Sequence, residues 1–545
     1  MKKRCLLFAL FAALLIGCAT AEDFDLPKQY AKNGAGEAVV DDVIFYGETP
    51  KDNARVFYEI FVGSFSDSNG DGVGDLRGII NRMDYLNDGD PASGTSLGVE
   101  GLWLTPIFTS PSYHKYDVAD FYTIDPAFGT MEDLQELIAL CHERDVKLIL
   151  DLPINHTSTQ NAWFEKFKKA HLLHNEGNAY YDYYTWVPSD GTFPAGRHFS
   201  RVSGTDIAVE CNFSDSMPEL NYDNTLVRQT MLDVAKFYLA LGVDGFRFDA
   251  AKYLYYGDHQ ACVDFWVWYM AELKTLKPDI YTIAEVWDSD GTTDKYEPAF
   301  NCFNFTASQA EGMIATTAAG GNVNQYTAYL QRYIERIHGI NPESMPVLFI
   351  ANHDTDRAAG YLTVASGRMQ MAANLYILSP GSPFIYYGEE IGIRGSRGGA
   401  NTDANRRLAM LWGDGDTVRD PIGTTYEGKN QTPYTVQDLL GSSTGILTYY
   451  KRLLMLRKAN PEIARGVYHA LTLQDTKLGG FTSTWNGATV AVLHNPTQRD
   501  MQLDLTTVPE LCDMNTLQYI GAGEATLEGN LLTIEGQTSA ILRVQ

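Results

Sequence analysis

The sequence predicts an α/β fold: a (β/α)8 TIM barrel with a small inserted domain after strand 3 and a C-terminal antiparallel β-sandwich. Three observations carry this. Eight short β-branched or aromatic runs alternate with stretches of helical periodicity, the pattern of a parallel sheet covered on both faces. Several of these runs end in Asp, Asn, His or Glu, and barrels of this kind keep their active sites at the carboxyl ends of the strands. After Ile463 the pattern changes to short alternating strands separated by turn residues, which reads as a sandwich.

The elements follow in order. Residues 1–17 read as a signal peptide: Lys2, Lys3 and Arg4 precede the apolar run "CLLFALFAALLIG", too short for a membrane span. The run ends in "LIGCAT", which resembles the bacterial lipobox. That predicts cleavage before Cys18, a lipid on Cys18 and attachment to a membrane of the cell envelope. Residues 18–53, polar and containing glycine, read as a tether and lead-in. The eight predicted strands are "RVFYEIFVGSF", "VEGLWLTPIF", "VKLILDLPIN", "VDGFRFDAAK", "IYTIAEVW", "CFNFT", "PVLFIANHD" and "SPFIYYGEE". "MEDLQELIALCHERD" (131–145) is an example of the amphipathic helices between them. Asn155 and Arg247 are 92 residues apart, too far for one strand–helix unit, so an inserted domain is assigned to 156–220. The barrel takes 54–155 and 221–462, and the sandwich takes 463–545.

Composition narrows the function. The chain of 545 residues has 68 acidic and 42 basic side chains, a net charge of -26. Nucleic acid needs a basic face, so it is excluded as a partner, and anionic substrates are disfavoured. Beyond the signal region five cysteines remain (141, 211, 262, 302 and 512), without a CxxC pair, which argues against a zinc site. Their odd number leaves at least one free thiol. A monomer is expected.

The chemistry gathers at four segments: "DLPINH" (151–156), "GFRFDAAKY" (245–253), "AEVW" (284–287) and "FIANHDTDR" (349–357). Arg247 and Asp249 are two residues apart on a strand and so share one face. Burying them is costly unless they are paired. Asp249, Glu285 and Asp354 are expected to converge at the rim. Glycoside hydrolysis needs such carboxylates, one as nucleophile and one as proton donor. Arg247 is expected to keep Asp249 ionised, and the apolar neighbours Val286 and Trp287 to raise the pKa of Glu285.

These four segments, in this order, resemble those of the α-amylase superfamily of retaining glycoside hydrolases, from about residue 54 to the C-terminus. The resemblance implies that Asp249 is the nucleophile, Glu285 the acid/base and Asp354 the transition-state stabiliser. It implies that His156, Arg247 and His353 hold the first sugar and that Tyr116 stacks on it. It also assigns Lys252 to the leaving-group side, where "DAAKY" carries Tyr253 in place of the family's usual His. "MPELN" (217–221) resembles the form seen between the oligo-1,6-glucosidase and neopullulanase branches. "GSPFIYYGEEIG" (381–392) matches the eighth-strand segment.

The expected reaction is cleavage of internal α-1,4 bonds of starch, glycogen or maltooligosaccharides. The alternatives are an exo-acting α-glucosidase or oligo-1,6-glucosidase, a 4-α-glucanotransferase, or a non-catalytic glycan-binding lipoprotein. "DSNGDGVGD" (67–75) places Asp67, Asn69, Asp71 and Asp75 at two- and four-residue steps. These are hard oxygen ligands that suit Ca2+, and the Val73 carbonyl would add another. The same loop is a structural Ca2+ site in the oligo-1,6-glucosidase branch.

Overall fold

The computed structural model describes residues 24–426 and 431–544. The expected signal peptide (1–17) and the expected lipidation site at Cys18 lie outside the described residues. Among the described residues no helix is long and apolar enough to cross a membrane.

Seven parallel strands form one curled sheet: Phe57–Ile60, Gly101–Leu104, Lys147–Leu152, Gly245–Phe248, Tyr281–Ala284, Asn301–Cys302 and Phe384–Tyr386. The predicted seventh strand is an extended segment at 346–350 that closes the gap. Phe303 bridges Val347 in parallel. On the other side, the Ser382 and Phe384 N–H groups donate to the Pro346 and Leu348 carbonyls, both at 2.9 Å. The sheet therefore closes on itself through all eight predicted runs.

Lumen-facing side chains recur with period two. At the amino-terminal end they are apolar: Phe57, Trp103, Ile149, Tyr281, Ile283, Phe303, Val347, Phe349 and Phe384 form one buried cluster. The Phe57 and Phe384 rings stack at 4.9 Å between centroids. One further step along several strands brings charge: Glu59, Asp151, Arg247 and Asp249 are all buried. Strand register sets Asp151 directly opposite Arg247. Gly245 opens the fourth strand because a β-carbon there would fall 1.7 Å from the Tyr281 carbonyl oxygen; any side chain would force the strands apart.

Helices cover the outside. The helix Met131–Glu143 starts at a capping box between Thr130 and Asp133 and has its last helical residue at Glu143, two residues short of the expected end at 145, where Asp145 turns left-handed (φ 54°). The helix Thr225–Leu241 ends on Gly242 at φ 106°, a conformation glycine adopts without penalty.

After the third strand come a helix, Ala162–Leu172, and a three-stranded antiparallel sheet of Trp186–Pro188, Ile207–Glu210 and Phe199–Arg201. The C-terminal part holds a five-stranded and a three-stranded antiparallel sheet. Leu493, Leu505, Leu532, Ile534, Ala540 and Leu542 belong to one buried cluster there. Its first strand starts at Val467, after the short helix Glu462–Arg465.

The tether reading of residues 18–53 needs correction from Phe24 onward. Phe24, Leu26, Tyr30 and Val40 are buried against the main core. Phe24 sits edge-on to Tyr449 at 5.4 Å, and Asp42 pairs with Arg452 at 3.2 Å. Burial of these apolar groups holds the segment down, at about 25 cal/mol per Å2.

Candidate active site

Arg247 is the hub of the rim. Its guanidinium is 1% exposed. Nη1 donates to Asp151 Oδ1 at 2.8 Å and to Asp249 Oδ1 at 2.6 Å, while Nη2 donates to Glu285 Oε2 at 2.9 Å. One cation therefore holds three carboxylates. The guanidinium also lies 5.2 Å from the Trp103 ring and 5.9 Å from the Tyr116 ring. Removing one partner from such a buried set is far costlier than breaking a surface pair.

Asp249 directly follows the fourth strand, Gly245–Phe248, and Ala250 after it has φ 50°. That left-handed turn costs a non-glycine residue about 1 kcal/mol. It aims the Ala250 N–H at Glu285 Oε2, 3.1 Å away, so the strained peptide binds the second carboxylate.

Asp354 is held from the other side. His353 Nε2 lies 3.1 Å from Asp354 Oδ2, and Arg407 Nη2 donates to Oδ1 at 2.7 Å. His353 Nδ1 is 2.5 Å from Glu59 Oε1. The Tyr116 hydroxyl donates to Asp151 at 2.9 Å and lies 2.7 Å from His353 Nε2. Its ring is stacked on the His353 ring at 5.5 Å. Hydrogen bonds thus run from Asp249 through Arg247, Asp151 and Tyr116 to His353, and the ion pair of His353 with Asp354 completes the line.

The protonation states follow from this wiring. Burial lifts Glu285 to about 7, opposed by Arg247 and reinforced by Asp249 and Asp354. Burial works to lower His353, but the charges of Asp354 and Glu59 outweigh it and raise its pKa to about 10. Burial would raise Asp354; His353, Arg407 and Arg247 overcome it and hold the carboxyl well below the usual range. Burial lifts Asp151 to about 6 against Arg247 and His353. Burial lifts Asp249 above its ordinary value, and Arg247 pulls against it.

The other predicted residues divide. His156 is buried with Nε2 unpaired, and burial lowers its pKa to about 4, so it is neutral. Its ring is 5.3 Å from Phe213. Lys252 turns to the loop after the fifth strand, donating to the Trp287 carbonyl at 2.7 Å and to Asp288 at 2.9 Å. Glu389 and Glu390, in the eighth-strand segment, are buried under tyrosine hydroxyls, Tyr376 and Tyr450 on the first and Tyr58 and Tyr85 on the second.

In the loop at 67–75 the Asp67, Asn69 and Asp71 side-chain oxygens each accept the N–H two residues on. Asp75 caps the next helix through the Gly78 N–H. The Val73 N–H closes the last of these turns. The donors are hard oxygens, and no ion pair joins Asp67, Asp71 or Asp75 among the described residues, so the set is chemically suited to Ca2+. It is not drawn together: only one trio of His, Cys, Asp or Glu donors among the described residues lies within 4.8 Å, and it is elsewhere.

A family model described as "Alpha amylase, catalytic domain" matches residues 59–466. The chain belongs to the α-amylase family. It is 34% identical to "Alpha-amylase 3" of Dictyoglomus thermophilum over 463 residues, covering 83% of this chain and 86% of that one. It is 28% identical to a 4-alpha-glucanotransferase of Thermotoga neapolitana, covering 82% and 96%. Among solved structures, Eubacterium rectale Amy13B superposes with a TM-score of 0.83 at 29% identity, over 95% of this chain and 99% of that one. The chain is thus an enzyme of the glycoside hydrolase and transferase type that this family comprises.

Sequence reasoning missed three members of the site. Asp151 lies inside "DLPINH" but was not singled out. Glu59 shares the lumen face of its strand with Phe57, two residues away, so a charge at an apolar-face position was its signal. Arg407 lies on a loop past the last strand with no periodicity, and nothing in the sequence points to it.

Proposed function

We propose that this enzyme hydrolyses internal α-1,4-glucosidic bonds of an α-glucan with retention of configuration. The observation that carries the reading is the single Arg247 guanidinium bonded to both Asp249 and Glu285, with Asp354 held apart by His353 and Arg407. In the first step Asp249 attacks the anomeric carbon. Glu285 gives its proton to the glycosidic oxygen, and the carbon–oxygen bond breaks. In the second, the Glu285 carboxylate takes a proton from water, whose oxygen displaces Asp249 from the sugar. Asp354, kept ionised, stabilises the positive charge that develops on the ring in both transition states. Arg247 and His353 order the carboxylates, and Tyr116 and His156 border the sugar. Lys252 serves the leaving-group side by fixing the Trp287–Asp288 loop.

A time course on amylose tests the bond preference. Internal cutting gives mixed chain lengths from the earliest times. Release of glucose alone supports the exo-acting reading, and disproportionation of a short maltooligosaccharide to longer chains supports the glucanotransferase reading.

The pH profile follows from the two raised carboxyls. Asp249 must lose its proton to attack, so kcat/KM rises with pH on the acid limb. Glu285 must keep its proton to donate it, so kcat/KM falls as pH rises through about 7. A profile still climbing well above that point would contradict the Glu285 assignment.

For the loop at 67–75 we propose a structural Ca2+ held by Asp67, Asn69, Asp71, Asp75 and the Val73 carbonyl. The ion would supply charge balance to three carboxylates and no step of the reaction. Chelation is expected to lower the melting temperature by several degrees, since a ligand at 100 times its Kd contributes about 2.7 kcal/mol. Asp71→Ala should remove that response. An equal Tm with and without chelator in the unsubstituted protein would refute the site.

A further inference from the structure

The inserted lobe carries a second cluster of reactive side chains. His198 immediately precedes the strand Phe199–Arg201, and Cys211 and Asp215 follow the strand Ile207–Glu210, which pairs with it antiparallel. The Cys211 N–H donates to the His198 carbonyl at 2.9 Å, and the His198 N–H donates to Asn212 Oδ1 at 2.8 Å. The backbone thus fixes both arms before any side chain is considered.

His198 Nε2 lies 2.7 Å from Asp215 Oδ1, and Cys211 Sγ lies 3.9 Å from the same oxygen. One donor atom from each of the three falls within 4.8 Å of the others, the only such trio among the described residues. An exposed His–Asp contact alone would be an ordinary surface pair. Here a fully buried thiol is aimed at the same carboxylate oxygen. Tetrahedral zinc bonds of about 2.0–2.3 Å set neighbouring ligand atoms roughly 3.3–3.6 Å apart. The cluster accommodates an ion once the His–Asp contact, now 2.7 Å, opens by about half an ångström and the Cys211 sulfur, now 3.9 Å from the Asp215 oxygen, moves in by a few tenths. Lack of a CxxC pair spoke against zinc, but ligands at 198, 211 and 215 follow no recognisable spacing.

We propose that His198, Cys211 and Asp215 bind a borderline-soft divalent cation such as Zn2+, with a fourth position open to water. On binding, the thiol proton passes to solvent, and thiolate plus carboxylate neutralise the ion. The loop between the ligands carries Phe213, whose ring is 5.3 Å from His156 and 5.1 Å from Tyr253. The cation therefore pins a piece of the active-site wall. This stands independently of the bond preference proposed above.

Titration of the full chain with Co2+, in the presence of excess Ca2+, tests it. One equivalent should produce intense tetrahedral d–d bands and a sulfur-to-cobalt charge-transfer band, both bleached by Zn2+. Cys211→Ser should abolish the charge-transfer band, and Cys512→Ser should leave it. His198→Ala and Asp215→Asn replace exposed side chains and should each weaken Co2+ binding at least tenfold. No thiolate band in the unsubstituted protein, or a band that survives Cys211→Ser, would overturn the proposal.

Discussion

Asp249→Asn is expected to lower kcat for glucan hydrolysis by at least about four orders of magnitude, because an amide cannot form the glycosyl ester. The amide still accepts a hydrogen bond from Arg247 Nη1, so the rim should keep its geometry and the variant should still bind maltooligosaccharide. Loss of kcat with Kd nearly unchanged separates the nucleophile from a residue that only positions sugar. Full activity in this variant would remove Asp249 from the mechanism.

Arg247→Leu is expected to have the largest effect on stability. It leaves Asp151, Asp249 and Glu285 without the cation that each now contacts. Removing one member of a buried charged set costs about 3–5 kcal/mol, whereas exposed pairs such as Arg397–Asp403 on the surface are worth about 1 kcal/mol or less. Arg247 lowers the pKa of all three acids, so in its absence their folded-state values climb further. A carboxyl raised in the folded state stays protonated and costs nothing below its unfolded pKa, and the penalty grows as pH rises above it. Denaturant titrations should therefore show the variant's deficit smallest near pH 4 and greatest above pH 7. An equal deficit at both ends would mean that lost packing, not charge, sets the cost.

The fold was legible because a parallel barrel writes itself as apolar strands alternating with helices. The seventh run was read as a strand, yet 346–350 makes its contacts through single bonds and one bridge, a geometry that propensity does not resolve. The carboxylates were legible because charges such as Arg247 and Asp249 violate a strand's apolar pattern. Glu59 violates it as well and escaped because the flanking run is strongly hydrophobic. Arg407 and the His198–Cys211–Asp215 cluster left no local trace, since only chain folding brings them to their partners. Arg247 is the counter-ion of Asp249, as the two-residue spacing suggests, but the guanidinium is divided among three acids, so burial still lifts the Asp249 carboxyl above its ordinary value.

The double displacement at this rim requires that Asp249 bonds to the sugar while Glu285 exchanges its proton. A slowly hydrolysed 5-fluoro-maltosyl fluoride, followed by peptic digestion and mass spectrometry, tests this most directly. One glycosyl adduct is expected on the peptide spanning 245–253, placed on Asp249 by fragmentation. An adduct on Glu285 or Asp354, or turnover that releases the inverted anomer with no adduct, would contradict it.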